Sequence, residues 1–292
     1  MTQSFPRRAA VHRKSRAWLM KAPRAYLRLR AGQEDYEARP PILCNSFPKS
    51  GTHLLMQILA TFPDVEWYRS FLASVPSVPF KERSERTHLR MIGRIVPGEL
   101  VPGHLHYEPA YEEALRSINC AHYFIYRDLR DVAVSEAYYL TYMNRWHRLH
   151  RHFRKELRTM EERILTSITG VHDQDFPYDY PNIAQRFQRY IGWLNQPNVY
   201  AIRFEDLSGD SRQHFVQQML DFYVGRNINA SEVPKQLAER AVLAIQPSRS
   251  HTFRSGRAGS WREEFTEKHR DAMKQVAGDL LIQLGYAADY NW

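Results

Sequence analysis

The chain has 292 residues, 43% hydrophobic and 25% charged, which excludes disordered, collagen-like and low-complexity proteins and supplies a sizeable core. Its 41 Lys+Arg against 32 Asp+Glu give a formal charge of +9, but residues 1–33 hold Arg7, Arg8, Arg13, Lys14, Arg16, Lys21, Arg24, Arg28 and Arg30 with no acid. The remainder balances 32 basic against 32 acidic side chains, so the body carries no nucleic-acid signature.

The arm has no apolar centre of the secretory kind, and no stretch of the chain approaches the ~18 apolar residues of a membrane span. In Ala17-Trp18-Leu19-Met20 and Tyr26-Leu27-Arg28-Leu29 apolar and basic residues interleave, while Pro23 interrupts a single long helix. The pattern predicts a surface-lying arm that makes peripheral contact with anionic lipid through residues 1–33. Two cysteines, Cys44 and Cys120, each in an apolar strand-like stretch, exclude a disulfide scaffold and favour a reducing, cytoplasmic setting with both thiols buried and inert.

Past Ala38-Arg39-Pro40-Pro41, the run Ile42-Leu43-Cys44 reads as a buried strand. It leads into the loop Asn45 to Thr52 and then a helix with the periodicity of His53 to Ala60. Ala121 to Tyr126 is a second strand, followed by a helix from about Asp131 to Tyr142. Val199 to Phe204 is a third, ended by Glu205-Asp206-Leu207. Strands separated by helices predict an α/β fold with a mostly parallel sheet flanked by helices, ligands sitting at the strands' carboxyl ends. Residues 144–168 have helical spacing, with Trp146, Leu149, Phe153 and Leu157 on one face among six basic side chains, and Asp173 to Pro181 is a loop.

Pro48-Lys49-Ser50-Gly51-Thr52 has the parts of an anion cradle: successive N–H groups at a helix N-terminus, a glycine and one positive charge. The ATP-binding pattern G-x-x-x-x-G-K-S/T places its lysine after the second glycine, whereas Lys49 precedes Gly51, which disfavours an ordinary nucleotide triphosphatase.

Ser46 to Thr52 closely resembles the 5′-phosphosulfate loop of sulfotransferases that use 3′-phosphoadenosine 5′-phosphosulfate (PAPS), whose usual form is Thr/Ser-Tyr/Phe-Pro-Lys-Ser-Gly-Thr. Arg127-Asp128-Leu129-Arg130-Asp131-Val132-Ala133-Val134-Ser135 is similar to that family's 3′-phosphate segment R-N-P-x-D-x-x-V-S, and Phe253 to Phe265 is similar to its F-R-K-G-x-x-G-D-W-K-x-x-F. The resemblance implies a P-loop-type, single-domain sulfotransferase over residues 39–292, with a helical insertion at about 144–180 and the basic arm at 1–38. It implies PAPS as co-substrate, PAP as product, and no metal. Lys49 would neutralise the leaving oxygen. Ser50, Gly51, Thr52 and His53 would cradle the 5′-phosphate. Arg127, Ser135, Arg254, Ser255 and Gly256 would hold the 3′-phosphate, with Phe204 where the family has an adenine-contacting tyrosine.

A donor bearing roughly four negative charges needs localised cations and N–H donors, and these residues supply them. The acceptor, a hydroxyl or amine of a small molecule or glycan, needs a general base. His104, in Pro102-Gly103-His104-Leu105, matches the family's catalytic histidine, with His106 and Glu108 as alternatives. Trp193 and the aromatic stretch Phe62 to Phe80 are candidates to line the acceptor pocket, core packing being the competing explanation. Leu54 replaces an adenine-stacking tryptophan, Pro102 and Ser255 replace lysines and Ser260 replaces an aspartate, which marks a divergent branch. The competing classes are a P-loop small-molecule kinase, which would need magnesium and ATP, and a non-catalytic membrane- or nucleic-acid-binding protein built on the arm. Anionic liposomes should retain the full-length chain and release a 34–292 chain in a sedimentation assay; equal retention removes the arm's proposed role.

Overall fold

Five short apolar runs pair into one sheet in the computed structural model, which describes residues 21–171, 173–228, 235–246 and 257–292. The strands are β1 (Ile42–Ser46), β2 (Leu72–Ala73), β3 (Leu100–His104), β4 (Ala121–Tyr126) and β5 (Val199–Arg203), in the order β2-β3-β1-β4-β5, all parallel. β1 is central, with Ile42 opposite Leu100 on one side and Ala121 on the other. All five of its positions are buried, as expected of a strand paired on both edges and covered on both faces. Alternation divides the core: Leu43 and Phe124 pack on one side of the sheet with Val132 and Met273, while Ile42, Cys44, Tyr123 and Ile125 pack on the other with Leu55 and Leu220. The α/β parallel sheet is the one the sequence predicts.

Helices α1 (Lys21–Arg30) and α2 (Gln33–Ala38) precede the sheet. Then come α3 (Thr52–Leu59) after β1, α4 (Glu85–Ile92) before β3, and α5 (Pro109–Ser117) between β3 and β4. Between β4 and β5 lie α6 (Leu129–Tyr138), α7 (Met160–Thr169) and α8 (Ile183–Gln188). The chain continues with α9 (Phe204–Ser208), α10 (Arg212–Val224), α11 (Lys235–Leu243), α12 (Trp261–Glu264) and α13 (Glu267–Gln283). Among the described residues no helix is long and apolar enough to cross a membrane. Both thiols are buried, and desolvation holds each above the ordinary thiol range, Cys120 at about 12. Cys120 lies just before β4 rather than within it.

Two helical expectations are corrected. α6 starts at Leu129, earlier than its apolar periodicity suggests, because the Asp128 carboxylate accepts the Arg130 N–H at 2.9 Å and caps the helix there. The amphipathic helix expected across residues 144–168 does not form as one element. The Asn144 side chain accepts the Trp146 N–H at 3.2 Å and His147 Nδ1 accepts the Leu149 N–H at 3.1 Å, so local side chains take the donors a helix would use. π-helical turns at Tyr139–Met143 and His152–Glu156 and the separate helix α7 result. Leu149 and Phe153 are buried, whereas Trp146 is 74% exposed and leaves the predicted apolar face.

Residues 21–38 dock on the body. Arg24 forks onto the buried Glu99 carboxylate at 2.9 and 3.1 Å and donates to the Arg94 carbonyl, and the Tyr36 hydroxyl donates to the Ile95 carbonyl. Glu99 also accepts from Ser70 Oγ and the Val96 N–H, so its burial is fully compensated. A 34–292 chain therefore loses a partner of a buried carboxylate along with the arm.

The C-terminal part of the chain is fastened to the sheet's carboxyl edge by Asp131, in the first turn of α6. Its buried carboxylate accepts from Arg127 Nη2 at 3.1 Å, the Gly259 N–H at 2.7 Å, Ser260 Oγ at 3.0 Å and the Trp261 N–H at 2.9 Å. Asp131→Ala strips four donors of their acceptor at once and should cost about 3–5 kcal/mol in denaturant unfolding, Asp131→Asn less. A loss below about 1 kcal/mol for the alanine variant would show that water replaces the carboxylate there.

Candidate active site

The turn after β1 reverses the chain through two left-handed residues, Lys49 (φ 68°) and Gly51 (φ 103°). Alternating handedness aims successive N–H groups into one concavity, and the start of α3 adds the unshared donors of a helix N-terminus. Gly51 is required twice over: its φ disfavours a side chain, and a Cβ would stand 2.6 Å from Phe204 Cδ2. Ser50 is fully buried, and its Oγ has no hydrogen-bond partner among the described residues. Thr52, the first residue of α3, hydrogen-bonds through Oγ1 to Ser46 Oγ at 2.6 Å, and His53 is exposed on the next position.

Lys49 turns its ammonium to the face of Tyr139, 3.9 Å from the ring centroid. Desolvation lowers it to about 8; the Glu136 carboxylate opposes that shift and Arg127 adds to it. Glu136 is itself buried, bound by Arg186 Nη1 at 2.7 and 2.8 Å, Ser167 Oγ at 2.6 Å and the Tyr180 hydroxyl at 2.8 Å. These contacts hold its carboxyl below the ordinary range against the cost of burial. Tyr139 caps the end of α6 with α-helical backbone, so that helix places its ring under the lysine.

Arg127 follows β4 and is 7% exposed. Its Nη2 bridges Asp131 and the Arg257 carbonyl (2.7 Å), the guanidinium lies 4.3 Å from the Phe204 ring centroid, and Nε is buried with no partner among the described residues. Phe204 thus touches Gly51 on one side and Arg127 on the other, joining motifs about 75 positions apart in sequence. Ser135, on α6, is half-buried. Arg254, Ser255 and Gly256 lie outside the described residues, although the Arg257 carbonyl and Gly259 beside Arg127 and Asp131 bring that segment's end to the site. Arg130, by contrast, is spent on structure: it is bidentate to Asp128, bonded to the Tyr286 carbonyl and set against the rings of Trp261 and Trp292, 4.1 and 4.5 Å from their centroids.

His104 ends β3 beside Ser46. Its Nδ1 lies 3.0 Å from the Ser46 carbonyl, which only accepts, so Nδ1 bears the proton and Nε2 keeps a lone pair. Desolvation lowers the imidazole to about 4, with Lys49, His53 and His106 disfavouring its cationic form further. Phe71, 47% exposed, sets its edge on the ring at 5.3 Å. His106 does not share a strand face with His104, because β3 ends at His104 and the period-2 rule stops there. Its Nδ1 faces Glu82 at 2.9 Å, its ring packs on Tyr190, and burial lowers it to about 4. Glu108 is exposed at the start of α5. Of the suggested acceptor-lining aromatics, Trp193 and Phe62 are core: Trp193 donates to the Leu105 carbonyl and packs on His122, and Phe62 packs on Tyr123 and Tyr223. Phe71 alone among the expected set of Phe62, Trp67, Tyr68, Phe71 and Phe80 has a ring contact with His104. Ser46, Glu136 and Tyr139 were absent from the predicted set, though Ser46 lies inside the loop motif itself.

The assembled edge has an anion cradle, a lysine, a buried arginine with an unspent donor and a neutral imidazole. That chemistry suits a phosphorylated donor and a hydroxyl nucleophile. A family model for the sulfotransferase domain matches residues 39–285. A mouse sulfotransferase, SULT7A1, complexed with PAP, is similar with a TM-score of 0.56 at 19% identity, over 88% of this chain and 87% of that one. Retinol dehydratase, in complex with androsterone and inactive cofactor PAP, is similar with a TM-score of 0.54 at 14% identity, over 90% of this chain and 85% of that one. No curated protein sequence matches significantly. The family match covers the sheet, the loop around Lys49 and the Arg127 turn together, and the chain belongs to the sulfotransferase-domain family.

Proposed function

We propose that this sulfotransferase uses PAPS as donor and moves its sulfuryl group to the hydroxyl, or amine, of a small-molecule or glycan acceptor, releasing PAP. The observation that carries the reading is a pair of orphans. Ser50 Oγ and Arg127 Nε are buried polar atoms with no partner among the described residues, placed on the two motifs that meet at Phe204. Leaving such groups unpaired is costly, and a donor with a phosphate at each end satisfies both. The PAP bound in both similar structures supports the same donor.

In this reading the N–H groups of Gly51 to His53 and the hydroxyls of Ser50 and Thr52 hold the 5′-phosphate, the Ser50 N–H being already given to the Phe47 carbonyl at 3.2 Å. Arg127 and Ser135, with Arg254, Ser255 and Gly256, hold the 3′-phosphate, and Phe204 flanks the adenine side. His104 Nε2 takes the proton of the acceptor hydroxyl as its oxygen bonds to sulfur. The bond from sulfur to the 5′-phosphate oxygen breaks, and Lys49 offsets the charge that develops on that oxygen. His104 is favoured over His106 and Glu108 because it adjoins both Ser46 of the loop and the lysine. Phe71 supplies an apolar wall beside the imidazole, which suits a small organic acceptor. The outward side of α1, with Tyr26 and Leu29 exposed beside Arg28 and Arg30, supports peripheral contact with an anionic membrane.

His104→Ala should lower kcat roughly 10²–10⁴-fold while calorimetry still finds PAP bound; near-normal turnover would move the base to His106 or Glu108. The kcat/KM profile should be bell-shaped. Activity appears as pH rises through about 4, where His104 loses its proton, and falls as pH passes about 8, where Lys49 loses its charge. Lys49→Arg should remove the basic limb from the measurable range. A limb near 8 that survives in that variant would assign it to another group.

A further inference from the structure

Ser46 is the last residue of β1, is fully buried, and stands between the imidazole and the phosphate loop. Its Oγ lies 2.6 Å from Thr52 Oγ1, 3.0 Å from His104 Nδ1 and 3.3 Å from the Gly103 carbonyl, and its own carbonyl accepts from His104 Nδ1 at 3.0 Å. One side chain and one carbonyl of the same residue therefore contact the nitrogen opposite the reactive Nε2. We propose that Ser46 is a positioning residue that couples donor occupancy to the general base through the hydrogen-bond chain His104–Ser46–Thr52. The inference rests on the reading of His104 as the base and Thr52 as a ligand of the 5′-phosphate.

The direction of the chain follows from donor and acceptor capacities. A hydroxyl has one proton and two lone pairs, a phosphate oxygen at neutral pH accepts, and the Ser46 and Gly103 carbonyls accept. Without donor, the Thr52 hydroxyl is able to point at Ser46 Oγ while Ser46 points at the Gly103 carbonyl. With a phosphate oxygen against Thr52, its proton turns to that oxygen, and the 2.6 Å contact is made by the Ser46 proton pointing at Thr52 Oγ1. Ser46 Oγ then offers its lone pairs to His104 Nδ1–H. Every bond in the chain now runs toward the phosphate, and hydrogen bonds aligned in this way polarise one another. Nδ1–H is held harder, Nε2 becomes more basic, and the imidazolium formed on proton transfer is better stabilised. No proton leaves the chain; only the hydroxyl orientations change.

The groups facing the imidazole are few: Lys49 and His53 from the loop and α3, His106 two residues on, and the Phe71 edge from beside β2. The donor's own charge also favours the imidazolium, so the test must separate field from relay. Removing the Ser46 hydroxyl leaves the phosphates and the Ser46 carbonyl in place and cuts only the chain. Ser46→Thr keeps a hydroxyl at the same position.

Ser46→Ala, Ser46→Thr and His104→Gln are compared for kcat, donor KM and PAP affinity, and the His104 ring nitrogens are followed by ¹⁵N NMR with and without PAP. For Ser46→Ala the expected result is a kcat loss of about 10-fold, a fraction of what a general base contributes, with PAP affinity within about 2-fold, and recovery in Ser46→Thr. PAP should raise the His104 titration in the wild-type chain, and by less than about half as much in Ser46→Ala. Equal PAP-induced shifts in the two proteins, a normal kcat in Ser46→Ala, or a loss confined to PAP affinity would overturn the relay. An active His104→Gln would sink the base assignment itself, whereas an inactive His104→Gln beside a fully active Ser46→Ala would sink the relay alone.

Discussion

A parallel ladder ends where its last backbone pair ends, and the candidate active-site edge of this protein lies just beyond that point. The β1–β3 register closes at Asn45 opposite Gly103. Past it, the buried Asn45 side chain takes over the ladder's work: Oδ1 accepts the Leu105 N–H at 2.8 Å and the Ser46 N–H at 3.0 Å, and Nδ2 donates to the Leu105 carbonyl at 3.0 Å. One amide thus mimics a peptide pairing and carries the strand's register beyond its last hydrogen-bonded residue. His104, held between the ladder and that amide, has little choice but to sit beside Ser46. Trp193, bonded to the same Leu105 carbonyl, braces the pair from the opposite layer. The imidazole, the phosphate loop and the lysine are neighbours because this register is continued rather than released.

The same economy governs charge. Most of the buried cations in the body are spent within the protein: Arg130 on Asp128, Arg186 on Glu136, and Arg163 on the Phe153 and Leu157 carbonyls. Each is held by partners that also fix its position, which is the condition under which a charge tolerates burial. Arg127 is set apart by where it stands, against Phe204 beside the phosphate loop. Its Nη2 is used by Asp131 and the Arg257 carbonyl, which pins the guanidinium, while its Nε, like that of Arg186, has no partner among the described residues. Fixing one end of a planar fork and leaving another donor idle is how a site becomes preorganised for an anion. Net charge cannot reveal this, since a paired arginine and a poised one count alike.

The loop from Ser46 to Thr52 was legible because an anion cradle is built from consecutive residues: a lysine, a small residue and a glycine feeding a helix all appear in one short string. The Arg127 segment was legible for the same reason, and with the strand patterns it sufficed for the parallel sheet. What stayed hidden depends on distant partners. Asp131 reads as an acid that orients its turn or pairs with a neighbouring Arg, as it does with Arg127, but its bonds to Gly259, Ser260 and Trp261 come from the far end of the chain. Tyr139 reads as an ordinary helical aromatic, and only the fold brings Lys49 over its ring. The insertion failed in the other direction: its spacing was helical, yet Asn144 and His147 satisfied the N–H groups first. Trp193 and Phe71 show why aromatic content alone does not mark a pocket, for one proved core and the other faces the imidazole.

Lys49 and His104 meet a single physical problem from different starting points. Desolvation disfavours the charged form of both, and it is the largest influence on each. Beside the lysine stands Glu136, a carboxylate kept ionised by Arg186, Ser167 and Tyr180, and it holds the ammonium at about 8, charged at neutral pH. Around the histidine burial acts first, opposed by the Ser46 carbonyl, with Lys49, His53 and His106 adding to it, and the imidazole stands at about 4, neutral at the same pH. One shared environment thus leaves a cation beside a neutral imidazole, and because burial lowers both by a similar amount, the intrinsic gap between an amine and an imidazole decides which is which. Removing the Glu136 carboxylate would leave Lys49 to the same desolvation without its counter-charge. The Arg186–Glu136 pair is therefore part of what keeps the lysine charged at neutral pH.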